Sequence, residues 1–252
     1  MNLKVVGVIP ARLASTRLSR KVLRPLCGRP MVEWVYRHAA VFPGFHKLLV
    51  ATDSLEIQNH CTGAGIPVMM TSPDHHSGTD RVHEVMTRLT AEIGPEAIYV
   101  NIQGDEPMVT ASHIDLLVQP FSDSRTQVST LRVAIAEEAA LDPGNVKVVT
   151  DPKGHALYFS RTLIPYHSDL AGPTRYFKHL GLYAYTSKAL EAFHSLPPSP
   201  LELTERLEQL RFLENGIPIT VMETPRDTIG VDAEEDVERV EEYLRGKAEP
   251  LS

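Results

Sequence analysis

Across its first 130 residues the chain repeats one pattern: a short aliphatic run, a polar turn, then an amphipathic stretch. The runs are Val5–Ile9, Lys47–Thr52, Ile66–Met70 and Ala97–Gln103, with another at Val128–Val133. After Pro30, residues Met31, Val32, Trp34, Val35 and Tyr36 make an apolar helical stripe. Ser54 can cap a helix to about Cys61, Thr79 starts one through Leu89, and another spans about Ser112–Val118. Continuous apolar strands that alternate with helices are buried on both sides, which parallel strands allow. The pattern therefore predicts an α/β fold: a mainly parallel open sheet with helices on both faces. Pro10 is expected to end the first strand, because it has no N–H to give a ladder.

Near residue 140 the rhythm changes. Val146–Thr150, the turn Asp151–Gly154 and His155–Phe159 read as a hairpin, and Tyr176–Thr186 contains a further strand. These predict a small antiparallel sub-sheet, placed at about 140–200 as a sub-domain of one 252-residue domain and as a surface for dimerisation. Ser187–His194 reads as a short helix, Leu201–Leu213 as one amphipathic helix, and Ile217–Met222 as a strand. Asp232 can cap the last helix, with Glu235 completing a capping box.

Charge narrows the function. The net charge is −7, which excludes a general nucleic-acid binder. Against that background Arg12, Arg17, Arg20, Lys21, Arg24 and Arg29 crowd one stretch, and no acidic residue precedes Glu33. The stretch leaves the C-terminal end of the first strand, where open α/β sheets bind ligands. Guanidinium forks there suit phosphate or carboxylate. The Walker pattern is absent, and Gly63-Ala64-Gly65 follows a helix instead of opening one, so neither common phosphate fingerprint applies. Cys27 and Cys61 read as reduced thiols, and His75-His76 matches no zinc spacing. With neither a leader nor a long apolar run, the expectation is a cytoplasmic protein that does not contact a membrane.

Ordered motifs then span nearly the whole chain. They are Ile9–Leu18 with Lys21, Ala51-Thr52-Asp53, Asp74–Arg81, Asn101–Met108, Asn145–Val149 and Ala156–Arg161 with Ile164-Pro165. Lys178–Tyr185, Pro198–Glu202, Leu207–Arg211 and Gly230–Asp232 complete the set. Together they resemble the 3-deoxy-manno-octulosonate cytidylyltransferase family, the CMP-Kdo synthetases. Two positions depart from the family's usual pattern: Ser19-Arg20 stands where Pro-Gly is usual, and Ala233-Glu234 where Thr-Pro is usual.

The resemblance implies a nucleotide-diphospho-sugar transferase-like fold. The implied reaction is transfer of CMP from CTP to Kdo, giving CMP-Kdo and pyrophosphate for lipopolysaccharide biosynthesis. It assigns Arg12, Ser15, Arg17 and Lys21 to the triphosphate, with Arg12, Lys21 and Asp105 as the catalytic group. Ala51, Thr52, Ser77 and Arg81 would read the base, and Gln103, His179, Tyr183, Glu208 and Gln209 would hold the sugar. Asp105 and Asp232 would hold Mg2+. A homodimer is the expected assembly. A cytidylyltransferase for amino-Kdo or a sialic acid, and a nucleotide-binding homologue without catalysis, remain as alternatives.

Overall fold

Parallel pairing around one central strand organises the N-terminal part of the computed structural model, which describes residues 3–13, 18, 20–75, 77–168, 174–231 and 233–246. The chain divides into two compact units, residues 1–115 with 228–252, and residues 116–227.

In the first unit β1 (Val5–Ala11) pairs parallel with β4 (Phe45–Thr52) on one side and β6 (Ile98–Asn101) on the other, and β4 pairs parallel with β5 (Val68–Met70). Helices α1 (Met31–Ala40), α2 (Leu55–Gly63) and α3 (Gly78–Ile93) connect these strands. Val6, Val8, Ile9 and Val50 are wholly buried. Burying such side chains contributes roughly 1.5–3 kcal/mol each, which is why the strands read as unbroken apolar runs.

Pro10 does not end β1, which continues to Ala11 opposite Thr52. Ile102 N–H donates to Val8 O, so the polar groups of Val8, and of Pro10 two residues on, face the β6 side. The β6 register stops at Val8, so the missing N–H removes no ladder bond. Helix α3 runs four residues past the expected Leu89, to Ile93.

After β1 come two short strands, β2 (Pro25–Leu26) and β3 (Arg29–Pro30), joined by Cys27 and Gly28. Both turn residues have positive φ, 48° and 81°, as a tight two-residue hairpin requires. The last helix, α9 (Glu234–Gly246), packs here: Leu18, Leu26, Met31, Met108, Val231, Val237 and Val240 form one apolar cluster. Glu234 opens the helix, and Asp236 accepts the Ala233 N–H at 3.0 Å; Asp232, the expected cap, lies outside the described residues.

Helix α4 (Ala111–Val118) leads into the second unit. There β7 (Val128–Ile135) pairs antiparallel with β10 (Tyr176–Thr186) and parallel with β11 (Ile219–Glu223). The anticipated hairpin is present as β8 (Lys147–Thr150) and β9 (Ala156–Ser160), and β8 also meets β10. Short helices α5 (Glu137–Ala140) and α6 (Ser187–Ser195) flank these strands in sequence.

The single helix expected over Leu201–Leu213 is two, α7 (Pro200–Glu205) and α8 (Leu210–Glu214). Arg206 adopts a left-handed conformation, φ 56°, and ends the first. Buried Glu202 accepts from Arg211 Nε at 2.7 Å and ties the two pieces together, with the guanidinium stacked 3.9 Å over Phe193. The apolar periodicity is continuous through this break, so it gave no warning of it.

Candidate active site

The first unit's strand order is β6-β1-β4-β5. Successive strands run outward from β1 through β4 to β5, then return to its other side at β6. Crevices form where the order reverses in this way, beyond the carboxyl ends of the strands. Arg12 is exposed immediately beyond β1, and Lys21 opens a short 3-10 turn, Lys21–Leu23. Gln103 and Asp105 lie just beyond β6.

Gly104 lets the two strand ends meet. A Cβ there would stand 2.7 Å from the carbonyl oxygen of Pro10, a backbone atom that cannot swing aside. The close approach brings Lys21 Nζ to 2.6 Å from Asp105 Oδ2. The lysine side chain is 12% exposed and the aspartate 33%, so the pair sits at the mouth of the crevice, within reach of a ligand.

Val231 N–H donates to the Asp105 backbone oxygen at 2.9 Å. The segment before α9 is thereby fixed against the turn that carries Asp105. Ser15, Arg17 and Asp232 lie outside the described residues, although both neighbours of Asp232 lie inside them. The partly exposed Asp105 carboxylate is an oxygen donor of the kind Mg2+ takes, since that ion accepts one or two carboxylates and completes its shell with substrate oxygens and water. Among the described residues there is no group of three or more His, Cys, Asp and Glu side chains that could cage a metal by themselves. His75 meets Glu84.

Ala51 and Thr52 are buried at the carboxyl end of β4. Thr52 Oγ1 accepts the Ser54 N–H at 3.1 Å. Ser77 caps α3, accepting the Asp80 N–H at 3.0 Å and donating to Asp80 Oδ2 at 2.9 Å. Arg81 is 3% exposed and pins the surrounding loops: Nη2 donates to Asp53 Oδ2 at 3.1 Å, and Nη1 to Thr71 Oγ1. Asp53 and Thr71 therefore hold a residue that the sequence assigned to the base. Only the adjacency of Asp53 to Thr52 hinted at this, because no spacing rule links it to Arg81.

The second unit holds the remaining predicted residues. β10 carries two extra residues against β7, between Leu180 and Tyr183. Such a bulge exposes carbonyls. Thr130 Oγ1 lies 2.8 Å from Leu182 O, 3.2 Å from Leu180 O and 3.0 Å from His179 Nε2. A two-residue insertion preserves alternation, so His179 and Tyr183 share a face, with rings 5.4 Å apart. Tyr183 in turn stacks on Tyr185.

Burial pushes the His179 imidazole down to about 3, so it is neutral near pH 7. Thr130 Oγ1 and His179 Nε2 share a hydrogen bond whose direction is set by the imidazole tautomer. Burial likewise raises the Tyr183 phenol well above its ordinary value. Gln209, at the start of α8, is 7% exposed, and its Nε2 finds no partner among the described residues. A buried amide without a partner suits a polar ligand. Glu208 precedes it, and its carbonyl accepts the Arg211 N–H.

A cytidylyltransferase family model matches residues 6–223. The 3-deoxy-manno-octulosonate cytidylyltransferase of Acidobacterium capsulatum is 53% identical over 243 residues, covering 96% of this chain and 97% of that protein. Its counterpart in Koribacter versatilis is 51% identical over 246 residues, covering 98% and 92%. A solved structure of CMP:2-keto-3-deoxy-manno-octonic acid synthetase complexed with CTP superposes with a TM-score of 0.90 at 40% identity, covering 97% of this chain and 99% of that one.

Proposed function

This chain belongs to the 3-deoxy-manno-octulosonate cytidylyltransferase family, and on that premise we propose that it transfers CMP from CTP to Kdo, releasing pyrophosphate. The observation that carries the reading is the Lys21–Asp105 pair at the strand-order reversal, a phosphate-seeking cation beside a metal-seeking carboxylate.

Arg12, Ser15, Arg17 and Lys21 bind the triphosphate. Ala51, Thr52, Ser77 and Arg81 line the base end. Asp105 and Asp232 would hold Mg2+, which would supply charge neutralisation and Lewis acidity when bound. The anomeric hydroxyl oxygen of Kdo attacks the α-phosphorus, the bond to the β-phosphate oxygen breaks, and the hydroxyl proton passes to solvent. Lys21 and Arg12 stabilise the charge that builds on the departing pyrophosphate. Gln103, His179, Tyr183, Glu208 and Gln209 orient the sugar acid. Neutral His179 shares a hydrogen bond with a sugar hydroxyl, and the Gln209 amide donates to a sugar oxygen.

The active form we propose is a cytoplasmic homodimer that feeds lipopolysaccharide assembly. Leu157 on β9 and Tyr166 are 62% and 88% exposed, which supports pairing through the antiparallel strands. Among the described residues no helix is long and apolar enough to cross a membrane.

The test is pyrophosphate release with CTP, Mg2+ and a panel of Kdo, amino-Kdo and a sialic acid. The highest kcat/KM is expected for Kdo. No release with any of them rejects the reading, and a preference for another acid moves the acceptor.

A further inference from the structure

The stretch after β1 and the stretch entering α9 are tied together close in sequence to Lys21 and Asp232. Arg24, three residues past Lys21, pairs through Nη2 with Oε1 of Glu234, two residues past Asp232. Farther along both stretches, Cys27 N–H donates to Glu241 Oε1 at 2.7 Å. The apolar cluster that includes Leu26, Val231 and Val237 lies between the same two segments. Arg20, with φ 55°, meets Glu56 in the first turn of α2 through its guanidinium.

We propose that Arg24 and Glu234 are positioning residues: their ion pair fixes the spacing between the stretch bearing Lys21 and the stretch bearing Asp232. The proposal rests on the reading that Lys21 meets the triphosphate and Asp232 the ion. The Arg24 side chain is 31% exposed and that of Glu234 56%. Pairs that exposed add little to global stability, so the effect appears in ligand binding and not in melting. It also weakens with salt.

The test uses the full chain with Arg24→Gln, Glu234→Gln and the exchanged pair Arg24→Glu with Glu234→Arg. Three quantities are read: KM for CTP at fixed Mg2+, Mn2+ affinity by paramagnetic resonance with a non-hydrolysable CTP analogue present, and Tm. Each single variant should raise KM and weaken Mn2+ binding about two- to ten-fold, with kcat and Tm nearly unchanged. The exchanged pair should recover most of the loss. In the wild type, KM should climb with ionic strength toward the single-variant values.

Single variants with wild-type KM and Mn2+ affinity overturn the proposal. So does a loss that the exchange fails to restore, or one that follows a fall in Tm. Lys21→Ala separates the two levels of argument. If it retains wild-type CTP binding, the underlying reading fails. If it loses binding while the Arg24 and Glu234 variants do not, only the positioning role fails.

Discussion

Lys21 and Asp105 neutralise each other across the mouth of the crevice, with Nζ 2.6 Å from Oδ2. In the proposed reaction the lysine serves phosphate and the carboxylate the ion, so nucleotide arrival would exchange one partner for another. Lys21→Met should lower kcat/KM by about 100-fold or more, while tightening Mn2+ binding to the nucleotide-free protein, because Asp105 is released. Asp105→Asn should abolish turnover with a stability change of about 1 kcal/mol or less, since the carboxylate is one-third exposed. Kinetics, Mn2+ titration and thermal melting check both. Normal turnover in Asp105→Asn would remove it from the site.

Gly104→Ala puts a methyl group 2.7 Å from the Pro10 carbonyl oxygen. Relief requires the turn carrying Asp105 to move away from β1. A loss of roughly 1–3 kcal/mol by urea unfolding is expected. A drop in kcat/KM of about tenfold or more should accompany it, since displacements near 1 Å are costly to catalysis. Wild-type kinetics in a folded Gly104→Ala protein would show that the close approach is not needed.

Acid should destabilise the second unit through His179. Its folded value is depressed to about 3, against an ordinary value near 6.5. Between those pH values the unfolded chain binds a proton that the folded chain refuses. The stability it contributes is thus fully present above pH 6.5 and is lost as pH falls toward 3. The slope approaches about 1.4 kcal/mol per pH unit. Comparing urea midpoints of the wild type and His179→Gln from pH 7 to pH 4 isolates this slope. Parallel curves for the two proteins would contradict it.

Glu202 and Arg211 are both buried, at 7% and 9% exposed, and are bonded to each other. Removing only the carboxylate, as in Glu202→Leu, strands a guanidinium and should cost about 3–5 kcal/mol. Adding Arg211→Met should restore much of that loss, because a matched apolar pair replaces a matched charged one. Chemical unfolding of the three proteins measures the difference. A double variant as unstable as the single would assign the loss to packing of Arg211 against Phe193.

Much of the fold was written locally. The apolar runs located each parallel strand of the first unit, and Ser54 and Ser77 capped helices as their side chains allow. Local rules failed where a distant partner intervened. Pro10 could stay within β1 because the β6 ladder had already stopped, and nothing near Pro10 encodes that. The break at Arg206 was hidden because the apolar period continues through it, while the Glu202–Arg211 bond that ties its two sides is tertiary. Among the site residues, the basic stretch was visible as a cluster of charge, and Asp105 through the family resemblance. Their mutual contact was not, nor was the full engagement of Arg81 by Asp53 and Thr71.

The sequence by itself determined the strand and helix alternation, the parallel character of the sheet and the chemistry available at each strand end. Those follow from periodicity, side-chain volume and charge, which are properties of neighbouring residues. Only the tertiary structure decided which ends meet: Lys21 with Asp105, Val231 with the Asp105 turn, Arg24 with Glu234. Such pairings depend on how strands are ordered in a sheet and how closely a glycine lets two backbones approach. Both are settled by burying the whole apolar surface at once, and no local stretch of chain contains that information.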